Sequence, residues 1–163
     1  MTRVRVIGCG NLDAGDDAAG LLAVREARPR LEEIRGVEVV ESGAALNVVH
    51  LLDDLSAAVV VDAVRTPGGG RDPGEIVRAE AGPEGLPAEL RTSLSSHGLG
   101  LAEAIGIAAA LERAPRVVFL GVEALDATAG HPLSPAVAAA VPELVEQVVR
   151  EATLLAGPSA PVA

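Results

Sequence analysis

A chain of 163 residues can bury one sizeable core, and a hydrophobic fraction of 49% excludes general disorder. A net charge of −10 and a single aromatic side chain, Phe119, exclude the basic and stacking surfaces that nucleic-acid binding uses. No apolar run approaches the ~20 residues of a membrane span, no basic segment leads into an apolar export signal, and one cysteine, Cys9, excludes an internal disulfide. The expectation is a cytoplasmic protein with neither a membrane nor a nucleic-acid partner.

In chain order, Arg3 to Gly8 reads as a first strand. Gly8-Cys9-Gly10 then makes a tight turn, and Asp13, Asp16 and Asp17 make the loop acidic. A helix is expected from Ala18 to Ala27, capped by Asp16 or Asp17 and stopped by Pro29. Gly36 to Glu41 is a second strand, and Ala44 to Asp54 a helix. Ala57 to Val64 carries the strongest strand signal, because Ala57-Ala58-Val59-Val60-Val61 is uninterrupted and suits a central strand covered on both faces. Thr66 to Gly74 is an exposed Gly- and Pro-rich loop. Glu75 to Arg78 fits a short edge strand, and Ala81 to Ser96 a long surface segment. A helix follows from about His97 to Leu111, then a last strand from Arg116 to Glu123. Ser134-Pro135 starts a final helix, with Ser134 as N-cap; it runs to about Leu155, with a kink or fresh turn at Pro142. Residues 1–155 form one α/β domain in this reading, and 156–163 a frayed tail. Strands alternating with helices argue for three layers around a mainly parallel sheet.

The acidic loop is the first candidate for function. In an open α/β sheet, ligands bind outside the carboxyl ends of the strands. Asp16 and Asp17 stand there in sequence, and so does Asp62, which follows five apolar residues at the end of the presumed central strand. An unpaired acid there is costly; the plainer reading is a turn residue bonded to the next loop. His97 begins a helix in Ser95-Ser96-His97-Gly98, and the positive helix terminus keeps its imidazole neutral, the form a metal requires; the plainer reading is a surface histidine near a cap. For Asp17 the plainer reading is a cap, although its neighbour Asp16 suffices for that. Asp17, Asp62 and His97 together offer an O, O, N donor set suited to a borderline divalent ion such as zinc or nickel. His50 and His131 read as solvated, and Cys9 as a small buried side chain. A dinucleotide fingerprint fails, because its third glycine falls on Asp13 and the acids oppose a pyrophosphate.

The chain resembles the nickel-iron hydrogenase maturation endopeptidases from Val4 to about Val149. Gly8-Cys9-Gly10-Asn11 followed by Gly15-Asp16-Asp17 matches that family's G-x-G-N…G-D-[DE] opening. Val59-Val60-Val61 running into Asp62-Ala63-Val64, Ser96-His97-Gly98-Leu99-Gly100-Leu101, and Leu133-Ser134-Pro135-Ala136-Val137 match three further motifs. The resemblance implies a three-layer α/β sandwich with a five-stranded, mostly parallel mixed sheet and helices on both faces. It also implies that Asp17, Asp62 and His97 bind metal. The metal would be nickel supplied by the substrate, a [NiFe]-hydrogenase large-subunit precursor whose C-terminal extension is removed; zinc or cadmium would substitute in vitro. Asp17 and Asp62 are the candidate catalytic residues, and a monomer is expected.

The chain departs from the family at Leu12-Asp13-Ala14, where a Pro and an Arg are common, and at Ala18-Ala19-Gly20, which is less glycine-rich. It departs again at Ser42-Gly43-Ala44-Ala45, in place of G-G-T-A, and at Glu123-Ala124, which lacks a Pro. These departures bear on substrate identity more than on fold. Gly68-Gly69-Gly70 and the 81–96 segment are the expected precursor contacts. Two alternatives stay open at this point. One is a non-catalytic, metal-dependent module that binds a hydrogenase subunit, and the other a small zinc-dependent hydrolase.

Overall fold

A computed structural model describes residues 2–44, 47–93, 101–112 and 115–158. Its elements are β1 (Val4–Cys9), a 3-10 turn (Gly15–Ala18), α1 (Ala19–Leu31), β2 (Val37–Ser42), α2 (Val48–Leu51), β3 (Ala57–Val64), β4 (Ile76–Ala81), α3 (Ala88–Ser93), α4 (Leu101–Ala110), β5 (Arg116–Glu123) and α5 (Pro135–Ala156). The five strands form one sheet in the order β2-β1-β3-β5-β4. The first four in that order run parallel, and β4 closes one edge antiparallel to β5.

Strand side chains alternate between faces, and here both faces are covered. Ile7, Ala58, Val60, Val117 and Phe119 meet residues of α2, α3 and α4 on one side. Val6, Val59, Val61, Leu120 and Val122 meet α1 and α5 on the other. The three-layer sandwich is as expected, and β3 is its central strand. In the absence of Trp and Tyr, the core is aliphatic apart from the fully buried Phe119.

Several boundaries differ from the sequence reading, each for a physical reason. Pro29 does not stop α1; it lies in the last turn, which continues to Leu31. One lost hydrogen bond is outweighed by complete burial of Leu31, worth about 2 kcal/mol. Pro142 likewise sits inside an unbroken α5, whose next two turns bury Leu144, Val145 and Val148.

The helix expected over 44–54 is only Val48–Leu51 among the described residues. The Ser42 hydroxyl turns back onto the Ala44 carbonyl at 2.8 Å before it, and Asp54 adopts a positive φ of 60° after it. Strand β4 extends to Ala81, three residues beyond the expected Arg78. The following segment is not all surface. Gly82 and Gly85 exchange backbone hydrogen bonds at 3.0 Å, after which Leu86 and Leu90 insert into the core. The start expected for the helix at His97 lies outside the described residues, as does most of the expected tail.

Helix α1 meets the sheet at Gly20. A Cβ there would stand 2.5 Å from the Val61 carbonyl oxygen and 2.7 Å from that of Cys9. Glycine is therefore required by backbone contact on both central strands. In an exposed helix, Gly→Ala stabilises by about 1 kcal/mol. At position 20 the sign reverses: Gly20→Ala lowers stability by about 2–3 kcal/mol, read as a lower urea midpoint at unchanged slope.

Candidate active site

The sheet order places β1 between β2 and β3. The chain leaves β1 through α1 on one face and crosses back to β3 through α2 on the other. This reversal opens a crevice at the carboxyl ends of β1 and β3, the place where open α/β sheets bind ligands. Gly8 is level with Val61 in the register, so Cys9 and Gly10 end β1 beside Asp62.

Gly10 makes the convergence possible. Its φ is +138°, and a Cβ would lie 2.0 Å from the Asp17 carbonyl oxygen and 3.7 Å from Asp62 Oδ1. The loop closes on itself there, with the Asn11 N–H donating to the Asp17 carbonyl at 3.2 Å. Asp17 thus comes from the 3-10 turn after β1 and Asp62 from β3, and the structure brings both to one crevice.

Their proximity has an electrostatic signature. Burial, then the charge of Asp17, push the Asp62 carboxyl up to about 8, against the N–H of Ala63, which donates to Asp62 Oδ1 at 2.8 Å. Asp62 keeps a partly accessible face, but protein crowds the carboxylate on its other sides. The buried Cys9 thiol is pushed well up by burial, then by Asp62 and Asp17. It stays protonated and packs as a small apolar side chain, as its sequence context suggests.

Asp16 has a different role from its neighbour. Neither it nor Asp17 makes a side-chain cap for the 3-10 turn or α1. Asp16 has no accessible surface, although it lies only just beneath the surface. Its Oδ2 accepts the N–H groups of Leu125 (2.8 Å) and Asp126 (2.9 Å) and the Ser134 hydroxyl (2.8 Å), while Oδ1 accepts the Ser134 N–H at 2.7 Å. Ser134, expected as the side-chain cap of α5, makes no cap bond because its hydroxyl is given to Asp16. Burial raises the Asp16 carboxyl, but donors from Asp126, Ser134 and Leu125 outweigh it and hold the group below its usual range.

Glu123 is a second buried acid that the sequence reading passed over. It ends an apolar strand as Asp62 does, and that shared signature could have singled it out. Its carboxylate accepts the Thr66 N–H at 2.8 Å and the Thr66 hydroxyl, and so anchors the loop carrying Gly68 to Gly70.

His97 lies outside the described residues. Among those described, no three His, Cys, Asp or Glu side chains gather as a metal cluster. His50 and His131 are exposed, as expected, and His131 Nδ1 sits 2.7 Å from Asp126 Oδ2. What the described residues offer is a carboxylate pair at the switch point, suited to gripping a cation through oxygen or to proton transfer.

Two stability predictions follow from these carboxylates. A raised Asp62 contributes stability below its unfolded pKa of about 4 that is lost as pH rises to about 8. Asp62→Asn therefore matches the parent at pH 4 and exceeds it by about 1 kcal/mol at pH 9, measured by metal-free thermal melts. Asp16 has the opposite sign. Its contribution is present above pH ~4 and is lost as pH falls through the lowered native value. Asp16→Ala loses about 3 kcal/mol at pH 7 by stranding buried N–H donors, and the loss shrinks in acid.

A profile of hydrogenase maturation proteases, HycI, matches residues 22–151. The hydrogenase expression/formation protein HupD of Bradyrhizobium diazoefficiens is 31% identical over 140 residues, covering 83% of this chain and 70% of HupD. Among solved structures, the hydrogenase maturating endopeptidase HybD from E. coli superposes with a TM-score of 0.71 at 22% identity, covering 92% of this chain and 93% of that one. The [NiFe] hydrogenase maturation protease HycI from Thermococcus kodakarensis gives 0.69 at 22% identity, with 94% and 93% coverage. The superpositions establish the shared fold. The profile spans most of the sequence: this chain belongs to the hydrogenase maturation protease family and is a peptidase.

Proposed function

We propose that this protein removes the C-terminal extension of a [NiFe]-hydrogenase large-subunit precursor after nickel has been inserted. The observation that carries the reading is the pairing of Asp17 with Asp62 at the switch between β1 and β3. Two like charges in a crevice repel, and a divalent cation between them removes the repulsion. Nickel arrives with the substrate in this reading, and Asp17, Asp62 and His97 grip it; zinc or cadmium takes its place in vitro. Before the cation arrives, Asp62 holds its proton; with the cation bound, both carboxylates ionise. Precursor without nickel thus meets a site that has not reached its working charge.

Bound nickel supplies Lewis acidity and a fixed point of attachment. The chain's own carboxylates orient the peptide, and either can take a proton from an attacking water. The protein acts as a cytoplasmic monomer. Among the described residues, no helix is long and apolar enough to cross a membrane.

The test is the intact mass of nickel-loaded precursor after mixing with the protein. A C-terminal fragment is lost in the presence of nickel, and Asp17→Ala or Asp62→Ala slows its release at least ~100-fold. Processing of nickel-free precursor at the same rate would remove the role of the metal. Unchanged mass with binding retained would leave a non-catalytic module.

A further inference from the structure

We propose that Leu12 and Leu125 form one apolar lip that grips the precursor polypeptide beside the bond to be cut. The inference rests on the proposed processing of a hydrogenase precursor. Five large apolar side chains are exposed among the described residues. Ile107 lies on α4, Leu111 just after it and Leu154 near the end of α5; Leu12 is 41% exposed and Leu125 58%.

These two stand on separate loops, and each is tied to the Asp16–Asp17 pair. The N–H of Leu125 donates directly to Asp16 Oδ2 at 2.8 Å. Leu12 follows Asn11, whose N–H donates to the Asp17 carbonyl. The two loops are also bound to each other, through Gly130 N–H to the Asp13 carbonyl at 2.6 Å and Asp16 N–H to the Asp126 carbonyl at 2.8 Å. The two loops therefore form one frame around the turn that carries Asp17.

The backbone under both leucines is fixed from several sides. The turn beneath Leu12 is closed by Ala14 N–H to the Asn11 carbonyl at 3.2 Å and by Asp13 N–H to Asn11 Oδ1 at 2.9 Å. Arg65 reaches the Leu125 carbonyl at 3.3 Å. Apolar side chains exposed on a rigid frame bind without the ordering cost that a mobile loop carries. Both leucines lie outside the two core clusters, and covering them removes apolar surface from water. The surface suits an apolar side chain of a polypeptide and stands on the frame that carries Asp17.

The test uses the full-length protein and nickel-loaded large-subunit precursor, with Leu12→Ser, Leu125→Ser and the double variant. All three should melt like the parent, because both side chains are exposed. Each single change should raise KM for the precursor about 5–10-fold and the double change roughly 50-fold, with kcat within threefold and cadmium affinity unaltered. A double variant whose KM and precursor Kd stay within twofold of the parent overturns the lip while leaving the peptidase reading intact. If the parent binds the precursor without cutting it, the peptidase reading falls and the lip is judged on Kd alone. If the parent neither cuts nor binds, both fall.

Discussion

Because β1 lies between β2 and β3, the chain must leave its carboxyl end toward one face of the sheet and return over the other. The two connections diverge to opposite faces and leave the gap between the ends of β1 and β3 open to ligands. This topological constraint makes a crevice before any side chain is chosen. The glycines on either side of Cys9 and the glycine of α1 make the crevice narrow. Gly20 lets α1 press onto the carbonyls of Cys9 and Val61, and Gly10 lets the following loop fold back onto Asp62. With ordinary side chains at these positions, Asp17 would be held away from β3 and the pair would not form.

Two adjacent aspartates in the same loop divide the work by depth. Asp16 is buried and meets four donors from the segment after β5, so its charge is stabilised and it serves as a structural knot. Asp17 is half-exposed and faces a second acid, so it raises the pKa of its neighbour. The difference of one residue reverses the electrostatic outcome, because the 3-10 turn points successive side chains about 120° apart. One carboxylate aims at the loop after β5 and the other at the crevice. The same turn thus supplies the frame and one carboxylate of the pair.

Much of this was legible in the sequence. The strands β1, β2, β3 and β5 emerge from unbroken apolar runs, and the placing of Asp62 follows from one polar residue ending such a run. The pairing of Asp17 with Asp62 follows from the rule that sites form at strand ends. What was not legible depended on distant partners. Asp16 reads as a helix cap because a short acid before a helix usually is one. Its true donors lie more than 100 residues away in sequence, and nothing local announces them. The hydroxyl of Ser134 was misassigned for the same reason. Leu86 and Leu90 were hidden by the prolines and glycines around them, and because Leu86 precedes α3 no helical period links the two. By local rule Pro29 was read as a stop and Pro142 as a kink or fresh turn, whereas tertiary burial beyond each of them kept the helix going.

The carboxylate pair also explains why the frame around it must be stiff. Asp62, desolvated and facing Asp17, is in its least favourable environment when ionised and without a counterion. A flexible loop would relieve that environment by letting Asp17 swing away. Asp16 prevents this by fixing the turn through hydrogen bonds to a second loop, which is itself held by the end of β3 through Ala124 N–H to the Val64 carbonyl at 2.8 Å. The crowding that keeps Asp62 protonated is therefore held in the folded state. A rigid knot one residue away from the pair is thus what holds Asp17 against Asp62: the four hydrogen bonds of Asp16 fix the turn from which its neighbour projects.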